Sequence, residues 1–356
     1  MTSNKGKAYT VVDLFCGAGG LSYGFEQAGC RVLIGVDNDK AALETFERNH
    51  KKSKGILRDI TEISGKDILD IADTNGVDII VGGPPCQGMS LSGLRKFDDS
   101  RNKLYLSYIR LVDELRPKAF VIENVPGLVS LFKGEIKNKI ISRLSELGYK
   151  VNYEILLASD FGVPQNRKRV FFVGLLNGEF SFDKDIEKEC EIVTTKMAIS
   201  DLPRLEDTLG QEQMEYSSLP GNKYQEKMRN GSAKIWNHVA AKHTERVKEI
   251  IALVPDGGNY KDLPIELQET RKFNVAWTRF PSDKPSPTID TGHRHHFHYK
   301  FNRVPTVRES ARLQSFPDVF RFYGNKTQQF RQVGNAVPPL LAKKIAEAVI
   351  KKLEDE

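Results

Sequence analysis

The sequence predicts an α/β fold, a doubly wound and mainly parallel sheet, joined to a second, smaller and irregular domain. Three observations predict it. Short apolar runs alternate with helix-periodic segments through the first half of the 356-residue chain, the pattern of strands covered by crossover helices. A glycine-rich turn, CGAGG at 16–20, stands where the first run gives way to the first helical pattern. From residue 178 to about 305 the periodicity lapses into scattered Pro, Gly, Asn and charged residues, and it resumes in an amphipathic stretch at 338–353.

Each element follows from its own residues. YTVVDLF (9–15) reads as a strand, LSYGFEQAG (21–29) as a helix, RVLIGVD (31–37) as a strand and DKAALETFERNH (39–50) as a helix. A third apolar stretch precedes Asp59, and VDIIVGG (77–83) and KAFVIENV (118–125) are strands ending in polar or glycine-rich turns. YEILLASD (153–160) and RVFFVGLL (169–176) continue the series. Strands separated by helices imply right-handed crossovers and parallel pairing. Further on, HTERVKEIIALV (243–254) has helical spacing, with short strands around PSPTID (285–290) and HHFHYKF (295–301). In PPLLAKKIAEAVIKKL (338–353) Pro338 and Pro339 suit a first turn, and Leu341, Ile345, Val349 and Leu353 share one face. The expected division is a large domain over 1–177, completed by a helix within 331–356, and a smaller domain over 178–330.

Composition narrows the function classes. Hydrophobic residues at 39% and charged residues at 28% describe an ordinary soluble globular protein, and the net charge of +6 leans towards a polyanionic partner. Cys16, Cys30, Cys86 and Cys190 form no C-x-x-C pair, which argues against a disulfide framework or a zinc site and for reduced thiols. The first ten residues lack an apolar signal core and no apolar run reaches membrane-spanning length, so a soluble cytoplasmic protein is expected.

Several residues have the types and positions that chemistry needs. Gly17, Gly19 and Gly20 permit a tight turn and close backbone approach at a helix N-terminus, whose N–H groups are free. Asp37 follows twenty positions after Gly17, where an acid can accept both hydroxyls of a ribose. Ser22 occupies the place of the third glycine of the dinucleotide fingerprint, and no phosphate-binding G-x-x-x-x-G-K loop is present. A carboxylate-bearing ligand with an adenosine end fits these features. Asp59 is either an adenine contact or a solvated loop acid. Cys86 follows a buried strand and two prolines that stiffen its approach, at the sheet edge where ligands bind in such folds. Glu123 comes at the end of the next apolar run, where an acid requires exposure or a partner. Arg167 and Arg169 alternate at the start of a strand, so period two places them on one face; a surface basic pair is the alternative.

Taken in order, the glycine turn, Asp37, Asp59, Pro-Pro-Cys, Glu-Asn-Val and Gln-x-Arg-x-Arg closely resemble the cytosine-C5 DNA methyltransferases, particularly the bacterial restriction-modification type. The likeness continues in RESARLQSFPD (308–318) and QVGNAVPP (332–339), so the blocks span nearly the whole chain. The resemblance implies a Rossmann-like methyltransferase domain using S-adenosylmethionine, and a target-recognition domain whose variable region is about 178–305. It implies that the Cys86 thiolate adds to C6 of a flipped cytosine, that Glu123 bonds at N3, and that Arg169, with Arg167 nearby, holds the O2 side. By the same likeness Phe15 packs beside adenine, and Gly17, Gly19, Gly20 and Leu21 approach the methionine portion. Asp37 with Asn38 would take the ribose and Asp59 with Ile60 the adenine. Gly83, Pro85 and Leu104 would line the pocket, and Asn335, Ala336 and Val337 would close it. Two departures are visible: Asp37 is shorter than the usual glutamate, and Asn38 stands where a large apolar residue often covers adenine.

The segment from Gln87 to about Arg101, with Ser90, Ser92 and Arg95, resembles the mobile loop that closes over DNA in such enzymes. Thr288-Ile289 resembles the dipeptide near the end of their recognition regions, where the threonine touches the DNA backbone. HRHHFHY (293–299) reads as a polar recognition hairpin or a phosphate-contacting strand in preference to a metal site. The implied partners are double-stranded DNA and, without stable binding, a restriction endonuclease acting on the same site; a monomer is expected. A nicotinamide oxidoreductase would account for the turn and Asp37 but not for the later blocks. A DNA-binding module without catalysis leaves Cys86 and Glu123 idle, and a tRNA-acting relative is the third alternative. The long basic region after the arginine block favours DNA.

Overall fold

The computed structural model describes residues 8–85, 103–189, 191–206, 208–268, 277–292 and 296–355. They gather in two compact units: Met1–Leu157, Lys168–Lys188 and Pro339–Glu356 in the first, Ala158–Arg167 and Glu189–Pro338 in the second. These bounds differ from the sequence-based division at 158–167, 178–188 and 331–338. The Asn166 amide donates to the Ser286 carbonyl (2.8 Å) and the Ser286 amide to the Pro164 carbonyl (3.0 Å), backbone bonds that leave no periodic trace in the sequence.

The first unit is built on a seven-stranded sheet. In chain order its strands are β1 (Thr10–Leu14), β2 (Arg31–Asp37), β3 (Lys54–Leu57), β4 (Ile79–Gly82), β5 (Ala119–Asn124), β6 (Lys150–Leu157) and β7 (Lys168–Leu175). In space the order is β3-β2-β1-β4-β5-β7-β6. The first five pair in parallel, and β7 runs antiparallel to both β5 and β6. Helices α1 (Gly20–Gln27), α2 (Lys40–Asn49), α3 (Gly65–Ala72) and α4 (Lys103–Leu115) separate the early strands. The chain turns outward in opposite directions from β1 and β4, so their carboxyl ends flank the switch point where such sheets bind ligands.

Strands covered on both faces should be apolar throughout, and Val11, Val12, Leu14, Ile79, Ile80, Val81 and Phe120–Ile122 are all fully buried. The helix Pro339–Glu354 packs on α1, burying Leu341, Ile345, Val349 and Leu353, the face that the spacing predicts. Gly24 makes this contact close: a Cβ there would lie 2.4 Å from the Ala342 Cβ and 2.6 Å from the Lys343 nitrogen. Among the described residues no helix is long and apolar enough to cross a membrane.

The second unit has little sheet. Gly210–Met214 pairs antiparallel with Ile235–Val239, and Thr278–Arg279 pairs parallel with His296–Phe297. The strand expected at 285–290 is a single bridge at Ser286, and that expected at 295–301 shrinks to two residues. Paired charges supply much of the interior. The helix Val307–Leu313, capped by Thr306 and Glu309, is wholly buried although it contains Arg308, Glu309 and Arg312. Arg303 forks onto Glu309 (2.8 and 2.6 Å), and Arg312 onto Asp318 (2.7 and 2.6 Å) with Asp201 beside it (3.2 Å). Buried charges persist when paired in this way. His296 and His298 are buried as well, so these two histidines do not face outward as a polar recognition hairpin or phosphate-contacting strand requires. The His298 Nδ1 accepts the Lys300 and Phe301 amides (3.0 and 3.1 Å), closing a turn. His293 and His295 lie outside the described residues.

Two predictions follow from this packing. Gly24→Val forces carbon into the space held by Ala342, and should lower the unfolding free energy of the first unit by about 2 kcal/mol in urea denaturation; undiminished stability would contradict the packing. Burial pushes the His298 imidazole down to about 3, below the 6.5 it has when unfolded. The unfolded chain therefore takes up the proton first, and stability falls as pH drops from about 6.5 towards 3, by about 2 kcal/mol at pH 5. Both tryptophans, Trp236 and Trp277, belong to the second unit and report its unfolding by fluorescence. His298→Asn, which can still accept both amides, should flatten that slope.

Candidate active site at the carboxyl edge of the sheet

The turn after β1 is left-handed in several places: Phe15 has φ 64°, Gly17 53° and Gly19 93°. A Cβ on Gly17 would meet nothing within 4 Å, so this side of the turn is open. Its N–H donates to the Asp37 Oδ2 (2.8 Å), while the Asp37 Oδ1 accepts the Asp39 N–H (2.8 Å). Asp37 thereby ties the end of β2 to the turn after β1, and a carboxylate retains lone pairs for further donors. Burial raises its pKa, and the two backbone bonds oppose that rise. Asn38 is exposed, while Gly20 and Leu21 are buried in the first turn of α1.

Beneath the turn lies a group that pattern reading missed. Asp13, inside β1, is 1% exposed and accepts a hydrogen bond from the Ser22 hydroxyl. Burial raises its pKa to about 7. Ser22 stands where a dinucleotide fingerprint has glycine, and this bond gives the substitution a physical reason. An acid in the middle of an apolar run was the available signal, because it needs a partner. Asp59 caps the short turn Ile60–Glu62, accepting the Thr61 amide (2.8 Å) and hydroxyl (2.7 Å), which hold its pKa low. The Ile60 side chain is buried in the core, and Phe15 and Leu104 pack partly against it.

At the neighbouring strand ends, the Glu123 Oε1 lies 2.8 Å from the Arg169 Nε, with both side chains largely buried. Burial lowers the arginine pKa and Glu123 opposes the shift. A Cβ on Gly83 would lie 3.0 Å from the other Glu123 oxygen, so glycine there lets the carboxylate close against the chain beyond β4. Asn124 donates to the Pro84 carbonyl (2.6 Å) and bonds the Tyr105 hydroxyl. Pro84 is buried and Pro85 exposed. The sequence reading quoted Asn124 within Glu-Asn-Val but gave it no role, and it passed over Tyr105. Cys86, Gln87, Ser90, Ser92 and Arg95 lie outside the described residues.

The two arginines part company. β7 begins at Lys168, so Arg167 precedes the strand and the same-face expectation does not apply to it. Its guanidinium is buried in the second unit (1% exposed), donating to the carbonyls of Ile289 (3.1 Å) and Gly334 (2.7 Å). Gln165 completes the knot: it donates to the Leu313 carbonyl (3.1 Å) and the Gln314 Oε1 (2.8 Å), and accepts the Ile289 amide (2.9 Å). Thr288 is exposed and its hydroxyl donates to the Asn166 carbonyl (3.1 Å). Asn335, Ala336 and Val337 belong to the second unit, Asn335 exposed and Val337 buried. Among the described residues no group of three His, Cys, Asp or Glu side chains could hold a metal ion.

Known proteins are similar to this chain over nearly its whole length. Residues 9–351 match the family model described as C-5 cytosine-specific DNA methylase. The type II methyltransferase M.DdeI of Desulfomicrobium norvegicum is 39% identical, over 95% of this chain and 88% of that one. M1.HphI of Haemophilus parahaemolyticus is also 39% identical, over 98% and 88%. Among solved structures, a DNA modification methyltransferase encoded within an E. coli prophage superposes with a TM-score of 0.83 at 32% identity, covering 98% of this chain and 100% of its own. A match of this extent, carried on a doubly wound sheet with an acid–arginine pair at its carboxyl edge, places the chain in the C-5 cytosine-specific DNA methylase family, as a DNA (cytosine-5-)-methyltransferase.

Proposed function

We propose that this enzyme methylates C5 of a cytosine flipped out of a specific short duplex sequence, using S-adenosylmethionine and a covalent bond from Cys86 to C6. The observation that carries the reading is the Glu123–Arg169 pair (2.8 Å), with Asn124 fastening Pro84, two residues before Cys86, to the same strand end. The first unit's residues fit the cofactor: the open side of Gly17, the N–H groups at the start of α1, and an Asp37 carboxylate with acceptor capacity left for a ribose diol.

In this reading the Cys86 thiolate forms a bond to C6, and the displaced electron pair collects at C5 and N3. Glu123 in its protonated form donates a hydrogen bond to N3 and Arg169 donates at O2, where charge develops after addition, so both act chiefly on the activated ring. Arg169 also favours the thiolate electrostatically. S-adenosylmethionine, when bound, supplies the sulfonium methyl that the activated C5 takes up. Loss of the C5 proton then restores the C5–C6 double bond as the sulfur leaves C6, and Cys86 is regenerated. Arg167 serves differently, as an architectural residue of the second unit. Flipping the base costs a few kcal/mol, and we assign the DNA contacts to Gln87, Ser90, Ser92, Arg95 and Thr288, with target reading in residues 178–305. A restriction endonuclease sharing the target site is the functional counterpart that likeness to type II enzymes suggests.

Cys86→Ala should abolish methyl transfer to DNA while S-adenosylmethionine still binds in calorimetry; turnover by that variant would remove the covalent mechanism. Duplex DNA carrying 5-fluorocytosine at the target position should trap the unaltered enzyme, because fluorine at C5 cannot leave as a proton does. A denaturation-resistant adduct is expected on gels, and none with Cys86→Ala. Its absence with the unaltered enzyme on DNA it otherwise methylates would count against attack at C6.

A further inference from the structure

The glycine turn is also held by a histidine that the reaction does not use. His50 follows α2 as its C-cap and is fully buried. Its Nε2 lies 3.2 Å from the Gly19 carbonyl oxygen, and its Nδ1 lies 2.8 Å from the Glu26 carboxylate. The ring stacks on Phe46 at 4.4 Å between centroids and meets Tyr23 edge-on at 5.9 Å. A carbonyl oxygen only accepts, so Nε2 carries the hydrogen. A Cβ on Gly19 would stand 2.3 Å from Nε2 and 2.9 Å from Phe46, so only glycine lets the imidazole come this near.

The Gly19 carbonyl accepts a second bond, from the Tyr23 amide in the first turn of α1 (2.8 Å). With both lone pairs engaged, the peptide unit between Gly19 and Gly20 is held against rotation. A peptide is planar and trans, so fixing the carbonyl of Gly19 fixes the N–H of Gly20 on the opposite side. That N–H is one of the first donors of α1, which have no partner within the helix. We propose that His50 is a positioning residue for the amino-acid end of S-adenosylmethionine: by gripping the Gly19 carbonyl it aims the Gly20 N–H at the cofactor's carboxylate. Glu26 and Phe46 keep the imidazole in place from α1 and α2. The inference rests on the cofactor reading above.

The test compares two ligands that share the adenosine end, S-adenosylhomocysteine, which carries the carboxylate, and 5′-methylthioadenosine, which does not. Calorimetry on the full chain measures both affinities, with thermal melting to show that each variant is folded. His50→Asn, too short to reach Gly19, should weaken S-adenosylhomocysteine about tenfold and methylthioadenosine less than about twofold. His50→Gln, whose amide nitrogen can replace Nε2, should return S-adenosylhomocysteine to within about threefold of the unaltered protein. Equal weakening of both ligands, no weakening by folded His50→Asn, or no recovery with His50→Gln overturns the proposal. Should His50→Asn fail to fold, Glu26→Ala decides, since Glu26 is partly exposed and alanine has no group to hold Nδ1: a loss of about threefold confined to S-adenosylhomocysteine supports the grip, and unchanged affinities overturn it. An unaltered protein that binds neither ligand overturns the cofactor reading itself, a result distinct from all of these.

Discussion

β7 enters the sheet between β5 and β6 and runs against both, and the acid–arginine pair at the carboxyl edge depends on that reversal. Parallel strands deliver only their last residues to this edge, whereas a reversed strand delivers its first. Arg169, the second residue of β7, therefore arrives beside Glu123 near the end of β5, close enough for the 2.8 Å contact. Had β7 run parallel, six residues of strand would have carried Arg169 roughly 20 Å away, to the opposite edge. The type of cation matters too. Burial disfavours its charged form, and a guanidinium keeps its proton under a desolvation that could neutralise a lysine.

The edge beside β1 works by the opposite division of labour. There the groups left open to a ligand are largely backbone, and side chains hold that backbone in place. Asp37 fixes the Gly17 amide, His50 reaches the Gly19 carbonyl, and Asp13 takes the Ser22 hydroxyl. A backbone held at three points can keep a left-handed turn that would otherwise fluctuate, and glycine removes the steric cost of that turn. Burial raises the pKa of Asp13, and the Ser22 hydroxyl opposes that rise by giving the carboxyl a hydrogen-bond partner.

The elements of the first unit were legible because their cause is local. Alternating apolar runs and glycine turns record burial on both faces of a parallel sheet, and the C-terminal helix announced its face by spacing alone. The glycine turn, Asp37 and Glu123 were legible as residue types that do not belong in a core without a reason. His50 was not, and Asn124 and Gln165 stood in quoted motifs without any role that the sequence could give them. Each acts by a side-chain bond to backbone distant in sequence, from Gln165 to Leu313 or from His50 to Gly19, and no window of neighbouring residues contains both partners. Arg167 was misread for a different reason: period two describes a strand, and the strand begins one residue later.

The second unit resisted pattern reading for a deeper cause. Apolar periodicity reports cores that are glued without direction, and here much of the glue is directional. Arg303–Glu309 and Arg312–Asp318 are forked pairs in a helix and turn with hardly any exposed surface. Breaking one such pair leaves a buried charge unmatched, at a cost of about 3–5 kcal/mol, so each pair specifies its partner as an apolar contact cannot. A unit organised in this way needs few long strands or helices. Its anchor is one short buried segment, 303–318, and the surrounding chain can be irregular because its fold does not depend on a repeating apolar face. Under the proposed function that freedom suits a region whose exposed residues would meet base edges and phosphates, where position along an irregular loop matters more than periodicity.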